Sequence, residues 1–148
     1  IYEDVVRDKG ALGGLYSAID RSPQEWCLVL ACDMPFVRLP LLQYMVGISG
    51  KYDAVVPKPG EPPQFEPFRA LYRKTCLSAI DDALNRGRKR VISFFDGVRC
   101  RIVEQAEIHP FDPDGHSFFN INTRDDLAEA ESIAMCGSGR TDSDALEM

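Results

Sequence analysis

The feature that most constrains this chain is an uninterrupted apolar run, Trp26-Cys27-Leu28-Val29-Leu30-Ala31-Cys32, closed abruptly by Asp33-Met34-Pro35. The run is too short to cross a membrane and has no helical period. A brief apolar stretch ended by turn residues fits a strand buried on both faces of a parallel sheet. Parallel strands need helical crossovers, and the flanking sequence supplies them. Residues 11–20 carry Leu12, Leu15, Tyr16 and Ile19 at helical spacing, preceded by Gly10 and containing Gly13-Gly14. Beyond the run, Pro40 suits a first helical turn, and Leu41, Leu42, Met45 and Ile48 continue an apolar stripe until Gly50.

The remaining chain alternates in the same way. Residues 53–56 read as a strand. The prolines between Pro57 and Pro67 exclude helix and central strand and predict a loop, after which 68–72 resume as a strand. Residues 74–85 form an amphipathic helix that Gly87 stops, 91–95 a short apolar helix or turn, and 99–103 a half-exposed strand. A short strand is expected over 118–121, and Thr123 with Asp125 and Asp126 opens a final helix. The order predicts an α/β fold with a mostly parallel sheet flanked by helices, in one domain over 1–136, with 137–148 a disordered tail. A net charge of −6 argues against a general nucleic-acid or anionic-membrane surface. Five cysteines without C-x-x-C spacing, together with acidic residues in place of a leader, predict a reduced, cytoplasmic protein. Ile1 in place of an initiator Met reads as the start of a fragment.

In an open α/β sheet, ligands gather beyond the C-terminal ends of the strands, which makes Asp33 the first place to look for chemistry. A lone carboxylate there suits Mg²⁺, which takes one or two carboxylates and completes its shell with water and phosphate oxygens. The same residue can equally cap a turn. Gly10, Gly13 and Gly14 let a phosphate or ribose approach a helix entry, or merely allow close packing. Asp4, just upstream, is placed to reach a ribose or base edge, or is a solvated carboxylate. On a strand, Asn120 and Asn122 share one face and offer two amides to phosphate oxygens or a polar heterocycle, although Asn122 also suits an Asx-turn. The run Arg86-Gly87-Arg88-Lys89-Arg90 is either a phosphate anchor or a solvated helix end.

Taken in order, Gly10-Ala11-Leu12-Gly13-Gly14, Cys32-Asp33-Met34-Pro35, Asp53-Ala54-Val55-Val56-Pro57, Glu66-Pro67, the basic run and Phe119-Asn120-Ile121-Asn122-Thr123 resemble the molybdenum cofactor guanylyltransferase family. The resemblance implies a Rossmann-like GT-A nucleotidyltransferase fold and Mg²⁺-dependent transfer of GMP from GTP to molybdopterin, the molybdenum cofactor, with release of pyrophosphate. Asp33 is then the metal and catalytic carboxylate, Asp4, Gly10, Gly13 and Gly14 surround the nucleotide, and Asn120 and Asn122 sit near the reacting phosphates or on the pterin side. Arg88 and Arg90 lie toward the pterin, and the product passes to molybdoenzymes or their chaperones. The family's N-terminal strand and its glycine-rich, cationic loop have no counterpart here, so the chain alone is expected to turn over little. A cytidylyltransferase for the same pterin, a guanylyltransferase for another acceptor, and a non-catalytic pterin- or nucleotide-binding module are the alternatives.

Overall fold

The computed structural model describes residues 10–60 and 64–137. Helix α1 (Gly10–Arg21) leads into strand β1 (Trp26–Leu30), helix α2 (Leu39–Ile48) and strands β2 (Ala54–Lys58) and β3 (Arg69–Arg73). Helix α3 (Cys76–Asn85), a 3-10 segment (Val91–Gly97), strand β4 (Cys100–Glu104), the short helix α4 (Gln105–Ile108), a 3-10 turn (His116–Phe118) and helix α5 (Arg124–Gly137) follow. The strands form one sheet in the order β1-β3-β2-β4. β3 is antiparallel to β1 and β2, and β4 is parallel to β2, so three strands share a direction and β3 is reversed among them. The expected α/β sheet between helices is therefore present, as a mixed sheet.

Side-chain alternation along the strands divides the core in two. Ala54, Val56, Ala70 and Tyr72 face Leu12, Leu15 and Ile19 of α1 and Ile80 and Leu84 of α3, with Phe94 closing the layer. Val55, Leu71 and Val103 face the other way, onto Leu41, Leu42 and Met45 of α2 and Ile108 of α4. Each fully buried aliphatic side chain of this size contributes about 1.5–3 kcal/mol, so the two layers supply most of the cohesion.

Three expectations change. β1 is not buried on both faces: its only strand partner among the described residues is β3, and Leu28 and Leu30 are 41% and 42% exposed. A continuous apolar run implies full enclosure only when neighbours cover both faces, and here Cys27 and Val29 alone pack against the larger core layer. The proline-rich segment begins inside the sheet, because β2 continues through buried Pro57 to Lys58. The Pro57 carbonyl accepts the Glu66 N–H at 2.8 Å, so its missing N–H points to the side where pairing with β3 has ended at Val55. Residues 118–121 form no strand. Phe118 ends a 3-10 turn, and Ile121 N–H donates to the Asp33 carbonyl at 2.8 Å in place of a ladder. Asp4 and the tail from 138 onward lie outside the described residues, and α5 reaches Gly137.

Local sequence explains the helix ends. Gly87 adopts φ 73° after α3, its N–H bonding the Leu84 carbonyl and that of Arg88 the Ala83 carbonyl, both at 2.9 Å. This left-handed stop is one that glycine makes without strain. At α5, the Thr123 hydroxyl accepts the Asp126 N–H at 3.1 Å, while Asp126 accepts the N–H groups of Asn122 and Thr123. Helix α4 has a reciprocal cap between Glu104 and Glu107, an element too short to carry a periodic signal. No described helix is long and apolar enough to cross a membrane.

At the N-terminal edge of the sheet, buried Asp53 accepts Arg99 Nε and Nη2 at 3.0 and 3.1 Å and the Thr75 hydroxyl at 2.8 Å. The Arg99 guanidinium foremost, with the Arg99 N–H and the Thr75 hydroxyl, holds this carboxyl well below the usual carboxylate range. Arg101 and Tyr44 likewise bring Glu107 from 4.5 down to about 2. Both groups bind protons more weakly when folded than unfolded, so their contribution is full above the unfolded carboxyl range and is lost as pH falls toward the folded values. Chemical denaturation from pH 6 to pH 2.5 is expected to show stability falling steadily below about pH 5. Asp53→Asn is expected to flatten that slope and to cost about 2 kcal/mol at neutral pH.

Candidate active site

Because β1, β2 and β4 share a direction, their C-terminal ends and the beginning of β3 form one edge of the sheet. Leu30 is paired with Arg69, and the Ala31 N–H continues the ladder to the Phe68 carbonyl at 2.8 Å. Asp33 therefore leaves the sheet beside the Glu66–Phe68 turn. α1 runs back along β1, since only residues 22–25 separate them and the Cys27 thiol contacts the Ala18 carbonyl at 3.9 Å. Its N-terminal Gly10 consequently comes to the same edge.

The loop after β1 is held from below by a buried cation. Arg69 is 1% exposed and donates from Nη2 to the Met34 carbonyl at 2.8 Å and from Nη1 to the Phe36 carbonyl at 2.9 Å. A planar guanidinium can fork two carbonyls in this way and an ammonium cannot. Burial lowers the Arg69 pKa, and the nearby charges of Glu66 and Asp112 oppose that shift. With its backbone fixed, Asp33 is left half-buried, and its carboxylate takes part in no hydrogen bond or ion pair among the described residues. It does not cap the turn.

Glu66 is the second carboxylate here. Its Oε1 accepts the Phe68 N–H at 3.4 Å, and burial raises its pKa, with a smaller push from the charge of Asp33. The opposite wall is the segment carrying the paired asparagines, docked by the Ile121 N–H on the Asp33 carbonyl at 2.8 Å. Asn120 and Asn122 are both exposed beside this contact, and the Asn122 N–H belongs to the α5 cap. Phe36 packs its ring 6.0 Å from His116 and 6.5 Å from Phe119, closing the floor between the two segments.

The glycines separate by role. Gly10 has φ 63° and stands at the mouth of α1, where an added Cβ would lie 3.9 Å from Lys89 Cβ. The basic run thus adjoins the helix entry. Gly13 is buried, and its carbonyl accepts the Ser17 hydroxyl at 3.0 Å, whereas Gly14 has open space above it. Arg90 lines a cleft of about 370 Å³ with Gln64, Phe65 and Pro67, flanking Glu66. Arg88 instead lines a separate cavity of about 380 Å³ with Asp82, Ser93 and Asp96. The two arginines therefore serve different surfaces. Arg69 and Glu66 were not legible as site residues from sequence. The only signal for Arg69 is a charge placed by strand alternation on the same face as core residue Leu71.

A helix-flanked sheet with an unpaired carboxylate and two exposed amides at its C-terminal edge puts the chain in the class of open α/β domains, whose ligands gather at that edge. The family model described as the MobA-like NTP transferase domain matches residues 1–102. The chain belongs to that family. It is 31% identical over 135 residues to the molybdenum cofactor guanylyltransferase of Desulfosudis oleivorans, covering 90% of this chain and 66% of that protein. It is 32% identical over 129 residues to the enzyme of the same name from Syntrophotalea carbinolica, covering 86% of this chain and 60% of the relative. The chain thus spans just under two thirds of the length of these relatives. The crystal structure of molybdopterin-guanine dinucleotide biosynthesis protein A from Archaeoglobus fulgidus superposes with TM-score 0.72 at 29% identity, over 86% of this chain and 64% of that one.

Replacing Arg69 by Met would leave the Met34 and Phe36 carbonyls without their donors and is expected to cost about 3 kcal/mol in urea denaturation. Arg69→Lys is expected to recover less than half of that loss, because one ammonium cannot satisfy both carbonyls in the same geometry.

Proposed function

We propose that this domain acts in transfer of a guanylyl group from GTP to the terminal phosphate of molybdopterin, releasing pyrophosphate and forming a guanine dinucleotide. The observation that carries the reading is the 2.8 Å bond from the Ile121 N–H to the Asp33 carbonyl, which sets an unpaired carboxylate against the two asparagines. Relatives bearing the guanylyltransferase name support the choice of reaction.

The chemistry brings two anions together, a phosphate attacking in line on the α-phosphorus of a triphosphate, so positioning and charge neutralisation carry the catalysis. Asp33 fits a Mg²⁺ site: it is a carboxylate with no protein partner, at an open edge where substrate oxygens and water can complete an octahedral shell. When bound, Mg²⁺ neutralises phosphate oxygens at the reacting centre. Asp33 would hold it, with Glu66 the neighbouring carboxylate. Asn120 and Asn122 would donate amide hydrogens to the phosphates. Gly10 and Gly14, with Asp4 upstream, would border the nucleotide, and Gly13 would pack α1 closely beneath it. Arg90 would face the acceptor side through its cleft beside Phe65, and Arg88, in its separate cavity, would guide anions from further out.

The five cysteines are all free thiols, which suits a reducing cytoplasm. Molybdoenzymes or their chaperones would receive the product.

The test uses α-labelled GTP, Mg²⁺ and molybdopterin with this chain preceded by the glycine-rich N-terminal segment of a relative. Guanylyl transfer is expected, with GTP favoured over CTP and activity lost to EDTA. Asp33→Asn is expected to lower turnover about 10³-fold, the loss of several kcal/mol of metal-borne stabilisation. Wild-type protein that transfers nothing, or an Asp33→Asn variant of full activity, would refute the assignment. The 148-residue chain by itself is expected to release little pyrophosphate.

A further inference from the structure

Asp112 lies outside every motif discussed so far, yet its side chain is fully buried. Oδ2 accepts the Ser117 N–H at 2.9 Å, and Oδ1 accepts Arg38 Nε at 3.4 Å. Arg69 also feels its negative charge. Arg38 follows the Asp33 loop immediately and precedes α2, while Arg69 grips the carbonyls of Met34 and Phe36 within that loop. Ser117 belongs to the turn that delivers Phe119 and Asn120. One carboxylate therefore joins the two segments from beneath, through Arg38 at the end of the loop and a backbone N–H on the asparagine side. Gly115, in the left-handed region at φ 69°, turns the chain between Asp112 and Ser117 so that this short reach is possible.

Burying a carboxylate against such partners is a poor route to stability, since the loss of hydration offsets much of the attraction. Its return is geometric. Among the described residues the two segments also meet through the Phe36 ring contacts and the bond from Ile121 to Asp33, and Asp112 braces that contact from the buried side.

We infer that Asp112 is a positioning residue for guanylyl transfer, the buried carboxylate through which Arg38 and the Ser117 N–H set the Asp33 loop against the Asn120–Asn122 segment. The inference rests on the proposed reaction only for its kinetic readout, because the mechanical tie can be measured separately.

Asp112→Asn keeps the shape and removes the charge. In native-state hydrogen exchange on the 148-residue chain, the Ile121 amide is expected to exchange at least about tenfold faster, while the β2 amides of Val55 and Val56 keep their protection. In the transfer assay, kcat is expected to fall about 10–100-fold, as for other supporting partners of a metal carboxylate, with KM for GTP within about threefold of wild type. Arg38→Gln, which cuts one half-exposed tie and leaves the buried ones, is expected to move both readouts the same way by less, and it decides the matter if Asp112→Asn does not fold. Ile121 protection that is unchanged, or that falls only in step with β2, would overturn the inference. So would a loss confined to KM. Absence of transfer by the wild-type protein counts against the proposed reaction alone, and the exchange measurement then decides whether Asp112 couples the two segments.

Discussion

The clasp of Arg69 on the carbonyls of Met34 and Phe36 is the interaction on which the C-terminal edge of the sheet depends. A strand that ends in a turn has carbonyls with no further ladder to join, and at this depth unsatisfied carbonyls are costly. The guanidinium satisfies two of them from inside the sheet. Because the backbone is held there, the Asp33 side chain need not serve its own turn and stays available. Structural and chemical duties are thereby assigned to different residues. The reversed direction of β3 makes this possible, since its first residue, Arg69, falls level with the end of β1.

Perturbed ionisation is not confined to this edge. Asp53 and Glu107 are the carboxyls most displaced from ordinary behaviour, and both are engaged by arginine in ways that fasten structural elements. Asp53 stands at the N-terminal edge of the sheet and joins β2 to Arg99 and to Thr75, next to α3. Asp33, the carboxylate free of partners, is the one whose position suits ligand chemistry. Perturbation points to a tightly engaged group, and only location distinguishes a fastening from a reagent.

Much of the framework could be read from the chain. The apolar run of β1, the stripes of α1 to α3, the Gly87 stop and the Thr123 cap each follow from local rules whose determinants lie within a few residues. What escaped depends on partners distant in sequence. The edge position of β1, the reversal of β3, and the tolerance of Pro57 inside β2 are properties of pairing, which period and propensity do not encode. The site divides similarly. Asp33 was legible as a candidate because a polar residue after an apolar run is a local event. Arg69 and Asp112 were not, because a charged residue shows itself as buried only after the chain has folded over it.

The turn at Gly87 does more than end a helix. By reversing the chain there, it brings Lys89 beside the entry of α1 on a protein whose net charge is −6. Arg88 and Arg90 flank Lys89 in sequence, so positive charge is concentrated in this stretch of an otherwise acidic chain. Such a local concentration attracts anions more than the rest of the chain does, and salt weakens that attraction. The geometry of a single glycine thus reaches beyond the helix it ends, by fixing where that attraction is centred.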